Sequence, residues 1–191
     1  SAARTITVHL DSDGDTIYLS PGTYNEVLGT VDKNLHISAG TADCTTAAAT
    51  SATPFDYVID GGGASTFNGG IVNIAPNRTV TFTTMILQNA EAIHGGIVYV
   101  DEGATATFNK VRLRNGSADD TGGILYVATG ASLFINDTTF IENGSAGNAG
   151  GGLYLAGVAQ LVSGVVIRES NALAGGGVAM VGNGQLILTN S

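Results

Sequence analysis

Four residues at a recurring corner of this chain have the types that acid–base chemistry needs: Glu91, His94, Asp119 and Asp120. Carboxylates, alone or with an imidazole, can pass protons in hydrolysis or elimination when they converge on one substrate atom. The first two lie one repeat ahead of the other two, so only a chain that returns on itself can bring them together. A second acidic pair, Asp101-Glu102, has Ala75-Pro76, Ala128-Thr129, Ala156-Gly157 and Val181-Gly182 at the equivalent positions of other repeats, and reads as a solvated corner. Asp11, Asp13 and Asp15 imitate the first half of a calcium loop. Gly22 stands where the bidentate Glu belongs, so an Asp-rich turn is the preferred reading. His9 and His36 fall in apolar strands and read as strand residues. No zinc-protease helix, nucleophile elbow or phosphate loop is present. Cys44 is the single cysteine and reads as a loop residue, leaving no intrachain disulfide and no thiolate cluster. No metal and no cofactor are expected.

The elements that would position these groups are set by a repeat. Gly95-Gly96-Ile97-Val98-Tyr99-Val100 returns as Gly122-Gly123-Ile124-Leu125-Tyr126-Val127, Gly150-Gly151-Gly152-Leu153-Tyr154-Leu155 and Gly175-Gly176-Gly177-Val178-Ala179-Met180. A weaker copy begins at Gly69. The steps between glycine pairs are 26, 27, 28 and 25 residues. A repeat of this period marks a solenoid whose units bury their apolar faces only against one another.

Counting from each pair, positions four and six are always apolar, which makes them the inward face of a short strand. Two further inward sets follow: Val80, Ala106, Leu133, Leu161, Leu186, and Phe82, Phe108, Ile135, Ser163, Leu188. Ser163 is the polar exception. A third strand points Met85 and Leu87, or Val111 and Leu113, inward and ends at Asn89, Asn115, Asn143 or Ser170. One repeat slips by a residue, leaving Phe140 and Ile141 as alternatives for the inward side. Asn suits the corner because it tolerates left-handed angles and its amides can bond along the axis. The fold class is therefore all-β, a parallel β-helix of about seven coils with three short strands each, roughly 34 Å long at about 4.8 Å per coil.

Position five carries Asn73, Tyr99, Tyr126, Tyr154 and Ala179. Position three carries Ile71, Ile97, Ile124, Gly152 and Gly177. Strict alternation turns both outward, giving a binding face of Tyr99, Tyr126, Tyr154, Ile71, Ile97 and Ile124. Two readings stand: lateral stacking that only stabilises the coils, or an exposed docking face for a glycan or a partner protein.

At 191 residues one domain, 1–191, is expected, with N-terminal coils over 1–68, a loop inserted at 40–54, and glycine-pair repeats over 69–191. The formal net charge of −9 with only two lysines, Lys33 and Lys110, argues against nucleic acid or an anionic membrane as partner. No run approaches the ~18 apolar residues of a membrane span.

The stretch Asp13-Gly14-Asp15-Thr16-Ile17-Tyr18-Leu19-Ser20-Pro21-Gly22-Thr23-Tyr24 resembles the opening of right-handed parallel β-helices of the pectin-lyase-like superfamily. Val58-Ile59-Asp60-Gly61-Gly62 is similar to their next coils. The glycine-pair repeats, and Phe140-Ile141-Glu142-Asn143 ahead of Gly150, resemble polymorphic outer-membrane proteins and related bacterial adhesins. The resemblance implies a secreted or cell-surface rod, structural or adhesive and not an enzyme, often part of a larger protein. The alternative it also implies is a carbohydrate-active enzyme, a polysaccharide lyase, hydrolase or epimerase, using the corner of Glu91, His94, Asp119 and Asp120. A last expectation concerns the C-terminal end. Val178, Met180, Leu186 and Leu188 form a stacking end, to be covered by further coils or by an identical subunit in a head-to-tail fibre.

Overall fold

The computed structural model describes residues 13–41, 46–48, 56–64 and 68–190. The expected strand from Thr5 to Leu10, His9, Asp11 and Cys44 lie outside the described residues. In chain order the strands are β1 (Asp15–Leu19), β2 (Gly22–Asn25), β3 (Gly29–Val31), β4 (Leu35–Ala39), β5 (Tyr57–Ala64), β6 (Val72–Ile74), β7 (Thr79–His94), β8 (Val98–Val100), β9 (Thr105–Thr121), β10 (Leu125–Val127), β11 (Ser132–Asn136), β12 (Phe140–Ala146), β13 (Leu153–Leu155), β14 (Val158–Val162), β15 (Val166–Arg168), β16 (Val178–Met180) and β17 (Gln185–Thr189).

Each strand pairs in parallel with its counterpart one coil away. A short sheet stacks β3, β6, β8, β10, β13 and β16 in sequence order. A longer sheet bends round the other sides of the coil, along β1-β4-β7-β9-β11-β14-β17, with β2-β5-β7 and β9-β12-β15 on its flank. The result is a parallel β-solenoid of about five turns, fewer than the seven expected. The third strand also continues past its Asn corner, in β7 as far as His94 and in β9 as far as Thr121. Extended pairing there places Ala90, Gly116 and Gly144 in one register.

Side-chain alternation fixes what the coils enclose. Val98 and Val100, Phe82 and Phe108, and Met85 and Leu87 are all fully buried. Phe82 and Phe108 stack in successive coils with centroids 5.4 Å apart. The two residues of each glycine pair answer different demands. Gly95 has φ 62°, a backbone state L-residues rarely adopt. A Cβ on Gly96 would overlap the carbonyl oxygen of Gly123 in the next coil.

Two expected registers are corrected by the length of the corners. Ile135 pairs with Leu161 and Leu133 with Ala159, so Ser163 belongs to no inward column and is exposed in a turn. The corner Ala156-Gly157 is two residues shorter than Ala128-Thr129-Gly130-Ala131, and the strand after it starts early. At the slipped repeat, Ile141 is the inward residue, fully buried, while Phe140 faces out. Asp137 and Thr138 both adopt positive φ, 49° and 48°, where the coil before uses Lys110 alone at 56°. The extra left-handed residue absorbs the slip.

The inserted loop is anchored at its base. Gly40 and Ala47 form an antiparallel bridge, Thr41 N–H donates to Thr46 O at 2.9 Å, and the Tyr57 hydroxyl donates to Gly40 O at 2.9 Å. At the last described coil, Met180 and Leu188 are 50% and 57% exposed, whereas Val178 and Leu186 are half-buried against the core. No helix of the described residues is long and apolar enough to cross a membrane.

Candidate functional site

The short sheet positions the tyrosines. Tyr99, Tyr126 and Tyr154 pair directly across β8, β10 and β13, each the outward residue between two buried neighbours. Tyr99 and Tyr126 stack 4.6 Å apart at 5° between planes; Tyr126 and Tyr154 stack 5.0 Å apart at 11°. The rings therefore seal one another's faces and turn edges and hydroxyls outward. Asn73 precedes the row and Ala179 follows it in register.

Burial by the stack pushes the Tyr99 phenol up to about 12, helped by the neighbouring Tyr126 and the charge of Asp101. Burial raises Tyr126 as well, with Tyr154, Asp120 and Asp101 contributing. The raised Tyr99 and Tyr126 phenols keep their protons, and so their hydrogen-bond donors, at neutral pH.

The isoleucines expected beside them are not on the surface. Ile71, Ile97 and Ile124 are fully buried. The strand begins only at position four, and position three lies in a bend, so strand alternation does not reach it. Each isoleucine turns inward beneath the continued third strand. Ile97 and Ile124 fill the space that a Cβ on Gly116 would need, and Ile71 does the same at Gly61.

The acidic corner divides. His94 Nδ1 lies 2.9 Å from Thr121 Oγ1 and 3.5 Å from Asp120 Oδ2, and its ring tilts against Tyr126 at 5.4 Å. The Asn148 amide donates to Asp120 Oδ1. Asp119 is exposed. Glu91 pairs in register with Ser117 and lines a separate groove beside Asn89 and Asn115. Only His94 and Asp120 are thus joined. Among the described residues no group of three or more His, Cys, Asp or Glu is arranged to hold a metal ion. Asp13 accepts from Asn34 N–H at 2.7 Å and from its amide at 3.2 Å, and Asn34 Oδ1 accepts from Thr79 N–H at 2.8 Å. That carboxylate ties one corner to the next and is held below its usual range by the Asn34 backbone bond. His36 bonds Thr83 Oγ1 at 2.9 Å, as a strand residue with a partner would.

The Asn corner forms a hydrogen-bonded ladder. Asn89, Asn115 and Asn143 have φ of 57°, 55° and 55°. Asn89 Nδ2 donates to Asp60 Oδ2 at 2.7 Å, Asn115 to Asn89 Oδ1 at 2.9 Å, and Asn143 to Asn115 Oδ1 at 3.2 Å.

One polar cluster was not anticipated. Glu142 is only 4% exposed on the outer side of β12. Arg112 Nε lies 2.9 Å from its Oε1, and Arg168 donates through Nε and Nη2 to Oε2 at 2.8 and 2.5 Å. Both guanidiniums lie over the Phe140 ring, at 4.9 and 5.9 Å from its centroid. Arg114, in register with Glu142, bonds Gln88 Oε1 instead at 2.8 and 2.6 Å. The signal was in the sequence: carrying the coil alignment through the third strand puts Gln88, Arg114, Glu142 and Arg168 in one column.

No family model, curated protein or solved structure matches the chain.

Proposed function

We propose that this is a structural or adhesive solenoid of the cell exterior, not an enzyme, and that its tyrosine row is a contact edge. The resemblance of the Asp13–Tyr24 stretch and the glycine pairs to pectin-lyase-like surface proteins and polymorphic outer-membrane proteins supports secretion or surface display. It also supports right-handed winding, which crossover chirality favours in any case. The exposed Met180 and Leu188 support a further layer over the last described coil. That layer comes from more coils of the same protein or from an identical subunit stacked end to end.

The observation that carries the contact role is the in-register stack of Tyr99, Tyr126 and Tyr154. Because the rings cover each other, a ligand meets a row of hydroxyls and ring edges, not three open faces. A glycan or a polar segment of a partner protein has the complementary groups. Replacing all three tyrosines with Phe keeps the stack and removes the hydroxyls. At about 1 kcal/mol per lost hydrogen bond, binding to cells or glycan arrays should fall by at least about tenfold. Circular dichroism should stay β-rich. Unchanged binding would leave the row a packing device only.

The second reading, a carbohydrate-active enzyme, has one observation in its favour, the His94–Asp120 pair at 3.5 Å. It requires that acidic or neutral polysaccharides release reducing or unsaturated ends, and that Asp120→Asn abolish the release. Such turnover would overturn the non-enzymatic reading.

A further inference from the structure

The Asn corner borders a groove of about 480 Å³, lined by Gly62, Gly63, Asn89, Glu91, Asn115 and Ser117 among others. Three features make it a polar site. First, each amide is half used. A primary amide has two N–H donors and two acceptor lone pairs. Within the ladder Asn89 and Asn115 each donate once and accept once, so one donor and one acceptor remain on each. Second, Glu91 is exposed, and neither its carboxylate nor the Ser117 hydroxyl bonds any described residue. Third, among the described residues one wall is open. Gly62 and Gly63 form a bulge at φ 69° and 127°, and a Cβ on either would meet nothing within 4 Å.

We propose that this groove binds a short oligosaccharide of amino sugars lying along the coil axis. Sugar hydroxyls both donate and accept, as do the unused halves of the amide ladder. The apolar face of a pyranose suits Ala90 in the groove lining. A free ammonium suits Glu91, since a charge-assisted bond is about twice as strong as a neutral one. Among the described residues no cation lines the groove, which disfavours phosphate, sulfate and uronate ligands.

This site stands apart from the tyrosine row, and its test separates the two. The probes are a glucosamine tetrasaccharide, its N-acetylated counterpart and a galacturonate tetrasaccharide, titrated calorimetrically against the full chain. The glucosamine probe should bind most tightly and the galacturonate probe least. Glu91→Gln, an isosteric change at an exposed side chain, should weaken the glucosamine probe about tenfold and leave the acetylated one unchanged. Ser117→Arg fills the groove and should abolish both, with thermal unfolding confirming that the variant is folded. The triple Tyr→Phe variant should bind the probes as the parent does. The proposal is overturned if none of the three probes binds at millimolar concentration. It is equally overturned if Glu91→Gln leaves the order of the probes unchanged, or if binding is lost only in the Tyr→Phe variant.

Discussion

Glu142 shows how much one side chain can hold. Its carboxylate is the common counter-ion for guanidiniums from the coils on either side. Removing it leaves two cations facing each other across a coil, which is costlier than losing a surface pair. Arg112 and Arg168 keep 18% and 49% of their side-chain surface in water, so the penalty is reduced by solvent screening. Glu142→Ala should cost about 2 kcal/mol in urea unfolding, and Arg168→Ala should cost less, because its guanidinium lies in water. Alkali tests the tyrosine stack. The folded Tyr99 phenol titrates near 12 and an unfolded tyrosine near 10, so between these values the folded state holds the extra proton. The contribution is complete below pH ~10 and is lost as pH rises through ~12. A spectrophotometric titration should show a late phenolate step that Tyr99→Phe removes. A single tyrosine transition near 10 would contradict the sealed stack.

At the scale of the element, the strands were legible wherever corners keep constant length. Positions four and six are buried in the first four repeats, as alternation requires, and only Val178 and Met180 of the last described coil are not. The Asn ladder forms as the corner residues suggested. Legibility failed where a corner changes length or a strand stops short. Constant spacing puts Ser163 in an inward column that the shorter corner Ala156-Gly157 moves it out of, and it leaves Phe140 and Ile141 as alternatives because Asp137 and Thr138 both turn left-handed. Ile97 was placed outside because a period of two was extended one residue past the strand. The acidic corner was half legible: sequence spacing put four groups within one coil of each other, yet spacing along the chain does not say toward which side of a corner each points. The Ile97 correction is itself testable. Ile97→Ala should cost about 3 kcal/mol as a buried large-to-small change. A surface residue would cost no more than about 0.5 kcal/mol.

For the whole molecule, cohesion is strictly between neighbours, so the outermost layers are the least protected. Leu188 and Met180 illustrate this at the last described coil. If a second copy supplies the missing layer, sedimentation at rising concentration should show association that Leu188→Lys and Met180→Lys disperse. Thermal unfolding of the dispersed variants should stay within about 0.5 kcal/mol of the parent, as for exposed positions generally. A strictly monomeric parent at high concentration would exclude the second copy.

The parallel stacking of β8, β10 and β13 has a mechanical consequence. The chain passes once round every coil before it climbs to the next, so tension between its ends does not shear the stack. It peels the outermost coil first and loads one layer of hydrogen bonds at a time. Each released coil of 25 to 28 residues yields roughly 90 Å of chain. A rod of this construction lengthens under load in steps, and the Arg168–Glu142 bond is the latch on the step that frees β15 from β12.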